Sequence, residues 1–223
     1  MLKRLLSAAV MMILTSAIAH AGLRSPQIPV GGTALATFFA SQGQTIDVNS
    51  QQLDLQTLSW PVSTGFEVRV FGPEVATTGF GAYNTVPSSP PLYQIVPGAV
   101  TPGWYEVASF RSGPSRLVVN LFDGTDAFVG TNTYMGADAT AFGFYNQGAA
   151  GAFYTQDSRN GDTARILAYS GTGSRTGWTW FACETGAGPG GDYADFIALV
   201  NLAIASPVPV NRTNWGMLKA RFR

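Results

Sequence analysis

The sequence predicts an all-β protein: a two-sheet, jelly-roll-like β-sandwich with a short N-terminal helix and a short C-terminal helix. Glycine and proline, 26 and 13 of the 223 residues, recur about every ten residues from Gly65 onward, a spacing typical of short strands joined by turns. Runs rich in valine, phenylalanine, tyrosine and tryptophan lie between them. The run Phe66 to Phe71 alternates apolar side chains with Glu67 and Arg69, which predicts a strand with one face in the core and one in water.

Residues 1–21 have the pattern of a secretory signal peptide. A basic start at Lys3 and Arg4 precedes an uncharged run from Leu5 to Ile18, which ends at the small-x-small sequence Ala19-His20-Ala21. We therefore expect a bacterial protein that is exported to the periplasm, the cell surface or the medium. The alternative is an uncleaved anchor. No later segment is apolar for the roughly 20 residues that a membrane span needs, so no transmembrane segment is expected in the mature chain.

Composition excludes several classes of protein. The single histidine, His20, leaves with the predicted signal, which removes histidine-based catalytic triads and histidine-ligated zinc. Cys183 is the only cysteine, and its strand-like surroundings favour a core residue over a nucleophile. The signal carries two of the 13 basic residues and none of the 13 acidic ones, so the mature formal charge is 11 − 13 = −2. A nucleic-acid partner is not expected at that charge.

The elements follow in order within one predicted domain, residues 22–205. Thr33 is predicted to cap a short helix through Ala40, with Gly43 just beyond its end. Residues from Gly72 to Pro102, which contain many prolines, are predicted to form long surface connections. The final strand, Phe196 to Ile204, is apolar on both faces and is predicted to be central and doubly covered. Between these lie six further predicted strands: Trp104–Arg111, Arg116–Phe122, Ala141–Tyr145, Gly151–Tyr154, Arg165–Tyr169 and Trp178–Glu184.

Residues 206–223 are predicted to be a linker and a C-terminal amphipathic helix. The stiff segment Ser206 to Val210 connects to a helix that Thr213 caps. Apolar residues at 215, 218 and 222 share one stripe, and the basic residues lie near the helix C-terminus, where the dipole favours positive charge. The helix is expected to dock on the sandwich, and the alternative is a sorting or anchoring tag.

One acidic, glycine-rich segment could carry chemistry. Glu184 ends one predicted strand, while Asp192 and Asp195 open the next, and the loop between them is mostly glycine. If the two strands are antiparallel neighbours, the three carboxylates meet at one end of the sheet. Clustered carboxylates repel each other unless a cation or a donor separates them, and calcium takes six to eight oxygen ligands. The sequence therefore predicts a calcium site, to which Asp157 or Asn160 adds oxygens. The alternative is that these side chains hold the loop through Asx-turn bonds.

The same segment resembles a bacterial secreted family, domain of unknown function 4114. Phe181, Glu184, Asp192, Tyr193 and Asp195 fall on matching positions of that signature, and the similarity extends over residues 141–202. The chain departs from the signature at four positions, where Cys183, Thr185, Gly190 and Ala194 stand. The last three changes each remove a carboxylate or an amide. The resemblance implies a surface or matrix role and no established activity.

The sequence thus predicts an exported, non-catalytic module with a structural or adhesion-type role, stabilised by calcium, and an extracellular or matrix partner. The alternative is a carbohydrate-binding module, with Trp178 and Trp180 as a stacking shelf beside Glu184. A glycoside hydrolase-like enzyme is third, because Glu184 and Asp192 could flank a glycosidic bond. A sealed aromatic core with the acids at one sheet end favours the structural role, whereas exposed aromatic rows or open carboxylates favour the others.

Overall fold

The computed structural model describes residues 33–60, 64–71, 79–98, 103–148, 150–186 and 191–205. This part of the chain contains one α-helix, α1 (Thr33–Ser41), and twelve strands. The strands are β1 (Gln52–Leu53), β2 (Thr64–Phe71), β3 (Gly79–Asn84), β4 (Leu92–Val96), β5 (Tyr105–Arg111), β6 (Arg116–Phe122), β7 (Phe128–Met135), β8 (Phe142–Gly148), β9 (Gly151–Tyr154), β10 (Ile166–Ser170), β11 (Trp178–Cys183) and β12 (Phe196–Ala205).

The strands form two antiparallel sheets, so the predicted all-β sandwich of two sheets is confirmed. The larger sheet has eight strands in the order β1-β10-β11-β12-β2-β5-β6-β7, and the smaller has four in the order β4-β3-β8-β9. β12 lies between β11 and β2 near the middle of the larger sheet. The central position predicted for this strand from its continuous apolar run is therefore also confirmed.

An aromatic core fills the space between the sheets. Phe144 of the smaller sheet stacks on Phe80 with ring centroids 5.2 Å apart and meets Phe181 of the larger sheet at 4.9 Å. Trp60 contacts both Phe66 and Phe142 at 4.7 Å. Such offset and edge-to-face pairs each add about 1 kcal/mol beyond the area that they bury. Phenylalanine packing between the sheets is therefore a main source of stability.

Helix α1 covers the outer face of the larger sheet. Leu35 and Phe39 are fully buried, and the Phe38 and Phe39 rings pack on Trp180, at 5.8 and 5.7 Å between centroids. Gly43 follows the helix with a φ of +67°, a left-handed conformation that glycine adopts at low cost. The predicted N-terminal helix is confirmed, and it explains why β11 and β12 are apolar on both faces.

The prediction of long surface connections from Gly72 to Pro102 is wrong for the described residues in that range. They contain β3, which lies between β4 and β8, and β4 itself. β3 carries Gly81 because a Cβ there would meet the backbone carbonyl of Tyr93 and the ring of Tyr145. Glycine in place of a β-branched residue hides the strand pattern from sequence reasoning. The strands β1 and β7 were not predicted either.

Two predicted segments lie outside the described residues: the signal peptide at 1–21, and the linker and helix at 206–223. Within the ranges that the structure describes, no helix has the length and apolar character that a membrane crossing requires.

Candidate functional site

Glu184 directly follows β11, and its carboxyl group lies against Gly186 and Gly191. Its backbone N–H donates to the carbonyl oxygen of Arg165 at 2.9 Å, which extends the β10–β11 ladder by one residue. The side chain is only 7% exposed. A Cβ at Gly191 would overlap Oε2 of Glu184, so residue 191 can lie against the carboxyl group only because it has no side chain.

Glu184 and Asp195 form a carboxyl pair at this sheet end, as predicted from the antiparallel neighbours β11 and β12. Asp195 Oδ2 accepts the N–H and the hydroxyl of Thr185, at 2.9 and 2.8 Å. Glu184 Oε1 accepts the N–H of Gly186 at 2.9 Å. The pair therefore ties the start of the loop to the start of β12.

The two carboxyl groups have opposite pKa shifts. Burial, then the hydrogen bond with Asp195, raises the pKa of Glu184. Burial also acts to raise the pKa of Asp195, but the bonds from Thr185 and Glu184 outweigh it and lower that pKa. Because two adjacent carboxylates repel each other, these opposite shifts mean that a proton that enters the pair binds at Glu184 before Asp195.

Asp192 does not join this pair. Its side chain is exposed, and Oδ1 accepts the N–H of Ala194 at 3.0 Å, which is an Asx turn. The next residue, Tyr193, has a φ of +54° and donates its hydroxyl to the carbonyl of Ala164 at 2.8 Å. Asp192 acts on Glu184 only through space, by raising its pKa. This arrangement is the loop-holding alternative predicted for the segment.

Asp157 and Asn160 belong to a 3-10 turn, Asp157–Asn160, that follows β9 in the smaller sheet. The amide of Asn160 clamps Tyr154: Oδ1 accepts the Tyr154 N–H at 2.9 Å, and Nδ2 donates to the Tyr154 carbonyl at 2.7 Å. Both donor and acceptor atoms of that amide are thus engaged in shaping the turn.

The described residues give calcium only a partial oxygen shell. Calcium needs six to eight oxygens, whereas Glu184 and Asp195 accept N–H groups at the start of the loop and Asp192 accepts the N–H of Ala194. In the described residues, no three acidic, histidine or cysteine side chains are grouped so as to hold a metal ion. Calcium therefore stays a prediction of the sequence that this geometry does not support.

The predicted tryptophan shelf is also not formed. Trp180 is fully buried beneath α1, and its indole N–H donates to Gln44 Oε1 at 3.3 Å. Trp178 is half-buried. Glu184 is enclosed, while Asp192 is turned into its own loop, so the two carboxyl groups do not present an open pair to a sugar between them.

A polar pocket that the sequence reasoning missed lies at the edge of the smaller sheet. Its volume is about 550 Å³. Arg159 spans it: its guanidinium donates to the carbonyls of Thr85, Pro87 and Ser88, at 2.8, 2.6 and 3.1 Å. The rings of Tyr83 and Tyr154 lie 5.4 and 5.7 Å from its charge. The lining includes Ser88, Ser89, Tyr154, Gln156, Ser158 and Arg159.

Only one weak signal for this pocket exists in the sequence. Tyr154 ends a predicted strand and Arg159 follows it five residues later, but the loop that they meet, residues 85–90, comes from a distant part of the chain. All four acceptors of the Arg159 guanidinium, which include Gln156 Oε1 at 2.7 Å, are uncharged. Its positive charge has no ion-pair partner among the described residues.

Comparison with known proteins leaves the family open. No family model matches the chain, and no curated protein matches it. The likeness of the segment around Glu184 to domain of unknown function 4114 therefore remains a prediction from the motif.

Proposed function

We propose that this protein is an exported, non-catalytic β-sandwich module with a structural or adhesion-type role outside the cell. The observation that carries the proposal is the sealed aromatic core, with Glu184 and Asp195 paired at one end of the larger sheet. The large side chains between the sheets, such as Phe80, Phe144 and Phe181, are fully buried. Such packing supports a rigid module that acts through its outer surface.

The state of the acidic residues supports the same proposal. A hydrolase needs carboxyl groups that reach substrate. The Glu184 carboxyl is instead satisfied by Gly186 and Asp195, and the Asp195 carboxylate by Thr185. These carboxyl groups therefore stabilise the loop through internal hydrogen bonds. The single thiol, on Cys183, is fully buried, and burial, followed by the two neighbouring acids, raises its pKa, which makes it a poor nucleophile.

The test of this proposal is the location of the protein and the behaviour of cells that lack it. We expect an epitope-tagged chain to be found outside the cytoplasm, and the same chain without residues 1–21 to stay inside. Cells without the gene are expected to attach less well to a surface or matrix. Polysaccharide hydrolysis that is lost in a folded Glu184→Gln variant would contradict a non-catalytic role. A rise in melting temperature with millimolar calcium, against a chelator control, would restore calcium to the proposal.

The polar pocket favours a second candidate function, binding of an acidic carbohydrate. Hydroxyl, amide and aromatic groups line it, and they are the groups that bind sugar hydroxyls and ring faces. The charge of Arg159, unpaired by any acid among the described residues, favours a uronic acid over a neutral sugar.

Filling this pocket is expected to abolish sugar binding without harming the fold. Ser158 is exposed at the pocket wall, so the Ser158→Trp side chain would occupy the space that a sugar ring needs. The matched control is Thr37→Trp, at an exposed position of α1. Calorimetric titration with oligogalacturonate is expected to show binding to the parent protein and the control, and none to Ser158→Trp. Equal binding of a neutral cello-oligosaccharide would contradict the role given to Arg159.

A further inference from the structure

Strand β7 is an exposed edge of the larger sheet. It is the last strand in the sheet order and pairs with β6 alone among the described residues. Three of its large apolar side chains lie in solvent: Phe128 is 56% exposed, Val129 49% and Met135 57%. Since β6 satisfies only one side of the strand, every second N–H and C=O points away from the sheet. This edge can therefore accept another strand.

β7 lacks most of the features that usually protect an edge strand. Natural edges carry lysine, proline, an inward charge or a bulge, or are kept very short. β7 has eight residues, Phe-Val-Gly-Thr-Asn-Thr-Tyr-Met, none of them charged and none proline. Its one pairing irregularity lies at the turn end, opposite Leu121 and Phe122, so residues 130–135 remain regular. Such an uncharged strand can pair with a copy of itself without placing like charges opposite each other.

The charges at the two ends of β7 are complementary. At its start, the hairpin turn carries Asp123 and Asp126; Asp123 is held by Thr125 and Ala127, and Asp126 accepts the hydroxyl of Tyr105 at 3.1 Å. At its other end, Met135 lies opposite Arg116 of β6, and Arg116 lies opposite Arg111 of β5. The acid Asp138, which accepts the Thr140 hydroxyl at 2.7 Å, also lies near that end, so two arginines there stand against one acid. One end of the edge is thus net acidic and the other net basic.

We propose that β7 is a dimerisation edge: the β7 strands of two copies of this chain pair antiparallel about a two-fold axis and join their eight-stranded sheets. Antiparallel pairing lays the acidic turn of each copy beside Arg116 of the other, so the charge contact forms twice. Parallel pairing would set acid beside acid. This dimerisation depends on the β7 edge alone and does not depend on the proposed module function. It therefore goes beyond that function, whether the function is structural or sugar-binding.

Two lysines on β7 are expected to separate the dimer. Thr131 and Thr133 are both exposed and lie two residues apart in the regular part of β7, so their side chains share one face. In pairing centred on Asn132 each lies opposite the other in the second copy, and the variant Thr131→Lys with Thr133→Lys therefore places like charges directly across the interface. The matched control, Thr37→Lys with Val86→Lys, adds the same charge at exposed positions away from β7.

Sedimentation equilibrium on the purified protein tests whether the chain dimerises through β7. A strand pair is smaller than a standard interface, so a micromolar dissociation constant is expected, and protein concentrations from about 1 μM to 1 mM cover it. The parent and the control are expected to dimerise, the β7 variant at least ten times more weakly, and the parent less strongly at high salt. A parent that stays monomeric, or a dimer unaffected by the β7 lysines, overturns the proposal. Slow hydrogen exchange at the outward-facing amides of β7 in a monomer also overturns it, because the protein's own chain then covers the edge.

Discussion

Replacing Glu106 with glutamine is expected to raise the free energy of unfolding by about 3 kcal/mol at pH 7 and to leave it nearly unchanged at pH 4.5. Glu106 lies on β5 between Val68 of β2 and Leu121 of β6. Its side chain is 1% exposed. Neither carboxyl oxygen has a hydrogen-bond partner among the described residues. Burial raises the pKa of this group from 4.5 to about 8.

The direction of the pH dependence follows from which state holds the proton. Below pH 4.5 Glu106 is protonated in both states, and it places no charge in the core. As the pH rises from 4.5 to about 8, the unfolded chain loses the proton and the folded chain keeps it. Stability therefore falls by about 1.4 kcal/mol per pH unit over that window. Glutamine keeps the shape and stays neutral, so its contribution does not change with pH.

Urea unfolding of both proteins between pH 4.5 and 9 measures this effect, because the difference between them cancels other titrating groups. The control is Glu67→Gln on β2, whose side chain lies on the solvent side of the same sheet, bonded to Arg69. The control is expected to show no comparable rise. A difference between parent and Glu106→Gln that is the same at pH 5 and pH 8 would show that Glu106 is not buried as described.

Most of the larger sheet could be predicted from the sequence, because its strands carry bulky apolar side chains in recognisable runs. β12 is the clearest case: Phe196 and Val200 face the inner core, while Ile197 and Leu199 face α1, and only a doubly covered strand explains that run. In the smaller sheet, β8 and β9 were predicted, and β3 and β4 were not. β3 has glycine at two positions where the neighbouring strands come close, and β4 is a five-residue strand with Pro91 and Pro97 at its ends.

The candidate site was predicted in part for a physical reason. Antiparallel pairing of β11 and β12 follows from the strand pattern, so the meeting of Glu184 and Asp195 could be foreseen. Whether a carboxyl group ends as a metal ligand or as a protonated partner depends on burial and on individual backbone donors, which one sequence does not reveal. The same limit applies to Glu106 and Asn146, polar residues that occupy buried positions in strands otherwise read as apolar.

Gly191→Ala is expected to destabilise the protein by about 2–3 kcal/mol, through Glu184 rather than through the backbone. The new methyl group would overlap Oε2 and Cδ of Glu184, so the carboxyl group must leave the loop. It then loses its hydrogen bonds with the Gly186 N–H and with Asp195. Asp195 keeps its two bonds to Thr185, which limits the damage to the loop and the end of β11.

A double-mutant cycle with Glu184→Ala tests this cause. Without the Glu184 carboxyl group there is nothing for the methyl group to strike, so Gly191→Ala is expected to cost less than about 0.5 kcal/mol in that background. Gly161→Ala serves as a matched control. No atom would contact its new Cβ, but its φ is +67°, so its cost is one of backbone conformation alone and is expected to be unchanged by Glu184→Ala. If Gly191→Ala costs the same with and without Glu184, the loop is closed by something other than the carboxyl pair. The coupling free energy measured by chemical unfolding therefore reports directly whether the Glu184 carboxyl group stabilises the loop, which is the role on which the non-catalytic proposal depends.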